Sequence, residues 1–179
     1  MFNAGAEKMR LFFALWPSDE VRGYLSEDTE AAVIQAGGKP VPPRNFHVTL
    51  AFLGDVRQSS LDDIVRTVRS VRFGSFALEF DQMGYWTNSR VAWLGPSKPH
   101  MALESLVENI WDKLENLGFM REYNPFKPHV SLCRDVDAEL DVSRLQPIKW
   151  QVDAFVLAYS QPKPEGSVYT VLEQFPAGD

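Results

Sequence analysis

One cysteine and three histidines occur in the 179 residues. The single Cys133 cannot form an intramolecular disulfide, which suits a reducing, cytoplasmic setting. The longest apolar runs, such as Leu11 to Trp16, fall far short of the roughly 20 residues that span a bilayer, so no membrane association is expected. Basic residues are outnumbered as well: 18 Lys and Arg stand against 24 Asp and Glu, for a net charge of −6. That balance argues against broad, non-specific binding along a nucleic-acid duplex, which leaves a basic footprint. It leaves room for a local phosphate site. No P-loop, GxGxxG, HExxH or GxSxG motif is present. Met1 to Lys8 lacks the apolar stretch of a signal peptide. Residues 1–9 therefore read as an N-terminal extension, disordered or foreign to the natural chain, with Met9 the expected natural start. Residues 10–179 read as one domain.

Two of the three histidines open the same short segment. His47-Val48-Thr49-Leu50 recurs 82 positions later as His129-Val130-Ser131-Leu132. In a strand, residues i and i+2 share a face. Each imidazole would then stand beside a hydroxyl, while Val48, Leu50, Val130 and Leu132 turn to a core. The similarity continues outward, with a Phe shortly before each His, as Phe46 and Phe126.

The surrounding pattern is doubled too. Arg10 to Leu15 reads as a strand, then Ser18 caps a helix to about Gln35. A Gly- and Pro-rich loop leads to a motif strand, Asn45 to Leu53, stopped at Gly54. Ser59 or Ser60 caps a helix with Leu61, Ile64, Val65, Val68 and Val71 at helical spacing, and Phe76 to Met83 alternates as a strand. The order then repeats: strand Arg90 to Leu94, helix His100 to Leu117, and the second motif strand after Pro128. An acidic, poorly helical link with Pro147 follows, and strands Gln151 to Tyr159 and Ser167 to Phe175 complete the chain. Arg10 precedes His47 by 37 residues and Arg90 precedes His129 by 39. The expectation is a diverged internal duplication: an α+β fold of two lobes related by a pseudo-two-fold axis. Each lobe is a mainly antiparallel sheet with helices outside, and the cleft lies between them.

Two histidines and two hydroxyls facing one cleft suit acid–base chemistry on an anionic group. With a reference pKa near 6.5, one imidazole can be neutral while the other is protonated. Such a pair can serve as base and acid in an in-line displacement, with Thr49 and Ser131 donating to phosphate oxygens. Arg44, Lys127 and Arg134 make the motif neighbourhoods the basic part of an acidic chain. Two competing readings stay open. A metal site would need ligands beyond the two histidines, and a serine hydrolase would need its elbow. Cys133 shares the motif face but stands roughly 13 Å along the strand from His129, which favours a small filler over a nucleophile. Phe12, on one face with Arg10, is either core or a platform for a nucleobase. Trp86 and Trp93 carry the same ambiguity, and His100 reads as a surface residue.

Four segments together resemble the bacterial and archaeal RNA 2′,3′-cyclic phosphodiesterases, long called 2′-5′ RNA ligases, of the two-histidine phosphoesterase superfamily. They are Arg10 to Ala14 (RLFFA), Asn45 to Gly54 (NFHVTLAFLG), Ser89 to Gly95 (SRVAWLG) and Pro125 to Arg134 (PFKPHVSLCR). The resemblance implies a metal-free hydrolase that opens a 2′,3′-cyclic phosphate to a 2′-phosphomonoester. His47 would be the proton donor and His129 the proton acceptor. Thr49 and Ser131 would hold the phosphate, with Ser131 standing where the family motif has Thr. Arg134 would be the cationic partner, and Phe12 and Arg10 further substrate contacts. No cofactor is implied. The expected partners are RNA ends carrying a cyclic phosphate, or small cyclic nucleotides, bound by a cytoplasmic monomer. Two alternatives remain: the reverse joining of tRNA halves, and an RNA-end binding protein without turnover.

Overall fold

A computed structural model describes residues 7–121, 124–136, 146–164 and 166–178. Residues 1–6 of the expected extension and 137–145 of the acidic link lie outside the described residues. The first strand, β1 (Lys8–Leu15), begins before Arg10 because Lys8 and Met9 already ladder with Arg57 and Val56. Its alternation separates two environments. Leu11, Phe13 and Leu15 enter the main core, while Phe12 and Ala14 join a smaller cluster with Trp16 and Tyr169.

Helix α1 (Asp19–Ala36) starts where the sequence indicates, with the Val21 N–H donating to Ser18 Oγ at 3.3 Å. Gly37, at φ 66°, ends it by sending its N–H to the Ile34 carbonyl, a left-handed cap that suits glycine. The expected loop then contains a two-residue strand, β2 (Lys39–Pro40), and a 3₁₀ turn, Pro43–Asn45. Gly38 makes β2 possible, because a Cβ there would collide with the Arg134 carbonyl. The motif strand β3 (Val48–Arg57) starts after His47 and runs through Gly54. Gly54 adopts φ 67° and leaves Leu53 out of register, so this glycine makes a bulge instead of a stop.

A short helix, α2 (Leu61–Val68), precedes β4 (Phe76–Phe80) and β5 (Gln82–Trp86). The single strand expected here is divided at Asp81, whose carboxylate accepts the Ser97 N–H at 2.7 Å and its hydroxyl at 2.6 Å. Next come β6 (Val91–Gly95), α3 (Met101–Glu115) and the second motif strand, β7 (Val130–Arg134). His100 is the N-cap of α3, its Nδ1 accepting the Leu103 N–H. The last strands are β8 (Ile148–Val152), β9 (Ala154–Lys163) and β10 (Gly166–Pro176). Ile148, Trp150 and Val152 alternate inward, which starts β8 three residues before the expected strand.

The protein is α+β, with antiparallel sheets ordered β10-β9-β1-β3 and β2-β7-β6-β5 and a separate β4-β8 pair. Duplication is visible in this topology, with an exchange. The last strand of each half lies beside the first strand of the other: β5 pairs with β6, and β9 with β1. Likewise α1 lies against β7 and β8, while α3 lies against β3. Each lobe therefore contains chain from both halves, and one continuous core runs through them.

Gly84 shows how closely the second sheet is built. A Cβ at this position would enter the Trp93 indole on the neighbouring strand. Gly84→Ala should lower unfolding stability by about 1–3 kcal/mol, the cost of overpacking a fixed ring, measured by urea denaturation. An unchanged midpoint would show that the indole can move aside.

Candidate active site

Both histidines stand just before the strands they introduce, where the backbone is leaving its ladder. Their settings match atom for atom on one side of the ring. His47 Nδ1 lies 2.7 Å from the Asn45 carbonyl, and His129 Nδ1 lies 2.7 Å from the Lys127 carbonyl. A carbonyl only accepts, so each Nδ1 carries the hydrogen. Each Nε2 is then the nitrogen left for chemistry. Asn45 is itself buried and anchored, its side-chain amide donating to the Ser167 carbonyl at 2.8 Å.

On the other side of the rings the two copies differ. His47 Nε2 is 3.1 Å from Thr49 Oγ1 and, with the hydrogen on Nδ1, accepts the hydroxyl proton. Ser131 makes no side-chain hydrogen bond among the described residues, and its hydroxyl lines the cleft. The spacing of i and i+2 thus places a hydroxyl beside each histidine, although the rings precede the strands proper.

Aromatic rings enclose both imidazoles. Trp16 stacks on His47 at 5.6 Å and 16°, Phe12 lies at 5.0 Å, and Tyr169 meets it edge-on at 5.2 Å. His129 meets Trp86 edge-on at 4.4 Å, and Trp86 leans on Trp93 at 5.3 Å. Burial is accordingly the main cause of a depressed pKa at both histidines. His47 is pushed down to about 4, with the charges of His129 and Arg134 adding to the effect and the Asn45 carbonyl opposing it. His129 is also lowered, by burial and then by Arg134, against the pull of the Lys127 carbonyl. Both rings are therefore neutral near pH 7 when the cleft is free.

One cleft of about 800 Å³ collects every residue singled out from the sequence: Arg10, Phe12, His47, Thr49, His129, Ser131 and Arg134. Its walls come from both sheets. Lys39 and Arg44 also line it, and the acidic Asp135 is paired with Lys39 at 2.8 Å. The cleft is thus locally positive inside a chain of net charge −6. Arg134 ends β7, where the Tyr85 hydroxyl and Arg90 guanidinium donate to the Val136 carbonyl at 3.0 and 3.3 Å.

Two expectations change with this geometry. Phe12 is only 3 % exposed and its ring packs on His47 and Tyr169, so it has little face left for a base. Cys133 is fully buried, and burial pushes its thiol pKa up. No three His, Cys, Asp or Glu side chains gather as a metal-ligand set among the described residues.

The model of the LigT like Phosphoesterase family matches residues 15–93. The RNA 2′,3′-cyclic phosphodiesterase of Thermus thermophilus is 33 % identical over 93 % of this chain and 89 % of its own length. That of Escherichia coli is 31 % identical over 76 % of this chain and 78 % of its own. The chain belongs to the RNA 2′,3′-cyclic phosphodiesterase family. Its fold agrees: apo E. coli LigT superposes with a TM-score of 0.85 at 29 % identity, covering 97 % of this chain and 100 % of that one. The same E. coli protein has been crystallised with 3′-AMP, again at a TM-score of 0.85. Among the described residues of this phosphodiesterase, no helix is long and apolar enough to cross a membrane.

Sequence reasoning missed several parts of the site. The Asn45 and Lys127 carbonyls sit two residues before each histidine, so the repeat itself held that signal. Trp16, Tyr169 and Ser160 reach the cleft region through tertiary structure, with no comparable mark in the sequence.

The depressed His47 has a consequence for stability. Between about pH 6.5 and 4 the unfolded chain binds a proton at this residue that the folded protein refuses, so stability falls with pH. Thermal melts from pH 7 to pH 4.5 should show a steeper loss for wild type than for His47→Gln. Parallel slopes would contradict a neutral, depressed His47.

Proposed function

We propose that the protein opens a 2′,3′-cyclic phosphate at an RNA end to a 2′-phosphomonoester, without a metal, using the two imidazoles as acid and base. The observation that carries this reading is the common tautomer, which leaves both Nε2 atoms for proton transfer in one positive cleft. His129 is the base: its Nε2 takes a proton from the attacking water. His47 is the acid: its Nε2 gives a proton to the departing 3′ oxygen. The difference between the hydroxyls supports this order, because Thr49 already occupies the His47 lone pair in the free protein.

His47 must first acquire that proton against its low pKa. The phosphate supplies the drive, since its negative charge offsets Arg134 and favours an imidazolium beside it. Once His47 is protonated, Nε2 becomes a donor and Thr49 is released to donate to a non-bridging oxygen. Ser131 donates from the other side. Arg134 holds the same phosphate through its guanidinium, a geometry suited to paired oxygens. Phe12, Trp16 and Tyr169 orient His47 and shield it from water, while Trp86 does so for His129. The 3′-AMP carried by the E. coli relative suits a nucleotide-sized cleft. A cytoplasmic monomer remains part of the proposal.

Wild-type protein in EDTA should convert 2′,3′-cyclic AMP to 2′-AMP, followed by chromatography that separates the 2′ and 3′ isomers. Failure to turn over, or a 3′ product, would overturn the assignment. His47→Ala and His129→Ala should each lower the rate by about 10²–10⁴-fold, the usual contribution of general acid–base catalysis. Near-normal turnover in either would remove that residue from the mechanism. Ser131→Ala should cost about tenfold, as expected for one hydrogen bond to a charged group, and Ser131→Thr should retain activity.

A further inference from the structure

Four aromatic side chains line the cleft: Phe12, Phe52, Trp86 and Tyr169. Three of them touch a catalytic imidazole. Phe52 does not. It lies opposite Phe12 in the β1–β3 ladder, on the edge strand of its sheet, and is 41 % exposed. The Arg10 guanidinium sits over its ring, 4.9 Å from the centroid. Arg10 is exposed and makes no ion pair among the described residues. An isolated exposed apolar side chain is ordinary on a surface. A phenyl ring kept open to water inside a catalytic cleft, with a cation on it, is a different arrangement.

The geometry points to Phe52 and Arg10 as a stacking platform for a nucleobase of the substrate. This inference rests on the cyclic phosphodiesterase reading and adds the part of the substrate that does not react. Single-stranded RNA bases are bound by stacking on aromatic rings and guanidinium planes, largely irrespective of base identity. Opposite residues in an antiparallel pair have Cβ atoms about 4.5–5.5 Å apart. The platform therefore begins one residue pair from Phe12, whose ring centroid is 5.0 Å from that of His47. A nucleotide with its phosphate at the imidazoles can extend its base toward this edge. Phe52 then selects nucleotides over other cyclic phosphate esters and takes no part in proton transfer.

Calorimetric titration with 2′-AMP and with base-free ribose 2-phosphate tests the platform without requiring turnover. Wild type should bind 2′-AMP about tenfold more tightly than ribose 2-phosphate, within the usual value of one stacked base. Phe52→Ala should lose that margin with unchanged affinity for ribose 2-phosphate and an unchanged circular dichroism spectrum, and Phe52→Trp should keep it. Equal weakening toward both ligands, or no weakening toward 2′-AMP, would overturn the platform. Parallel rates on 2′,3′-cyclic AMP separate the two claims. A wild type that turns over nothing defeats the catalytic reading, while the titration still decides whether Phe52 holds a base.

Discussion

A backbone carbonyl two residues before each histidine is the constraint on which the site depends. By accepting from Nδ1, the Asn45 and Lys127 carbonyls settle the tautomer and the ring orientation together. Were either hydrogen on Nε2, that ring could not accept a proton from water at the cleft. The contact is local, between residues i and i−2, and needs no partner from elsewhere in the chain. Two copies of one segment can therefore create two equivalent proton sites. Their inequality comes from what surrounds them.

The exchanged topology brings those copies together. Because β9 completes the sheet of β1 and β3 while β5 completes that of β6 and β7, neither half of the chain closes its lobe alone. The lobes share one core, and the cleft is a seam within a continuous structure. Aromatic enclosure lowers the pKa of both imidazoles, and their mutual repulsion disfavours two charges at once. An anion in the cleft can thus draw one proton into the pair more readily than two. Structural symmetry and chemical asymmetry coexist because the first is set by the backbone and the second by burial, hydroxyl contacts and charge.

Much of this was legible in the sequence. The repeat of His, a hydroxyl and Leu located both motif strands, and alternation placed Thr49 beside His47. Ser18 and the acidic residues after it identified the start of α1, because capping depends on near neighbours. The errors arose where tertiary contacts outweighed local signals. Gly54 carries the left-handed backbone of a bulge, which is indistinguishable in sequence from a strand terminator. The segment expected as one strand from Phe76 divides at Asp81 because Ser97, 16 residues away, supplies its hydrogen bonds. Phe12 was open to two readings because each face of its sheet is apolar, one against the core and one against His47. Gln82 to Trp86 and Trp93 acquire their roles through pairing of β5 with β6, which no short-range pattern announces.

The central claim is that two neutral Nδ1–H imidazoles share a cleft until an anionic phosphate recruits one proton to His47. Nitrogen-15 NMR of the two rings at pH 7, without and with saturating 2′-AMP, tests it directly. The free protein should show two neutral rings protonated at Nδ1, and the complex should show His47 as the imidazolium while His129 stays neutral. An Nε2–H tautomer in the free protein, or a complex in which His129 alone takes up the proton, would contradict the account.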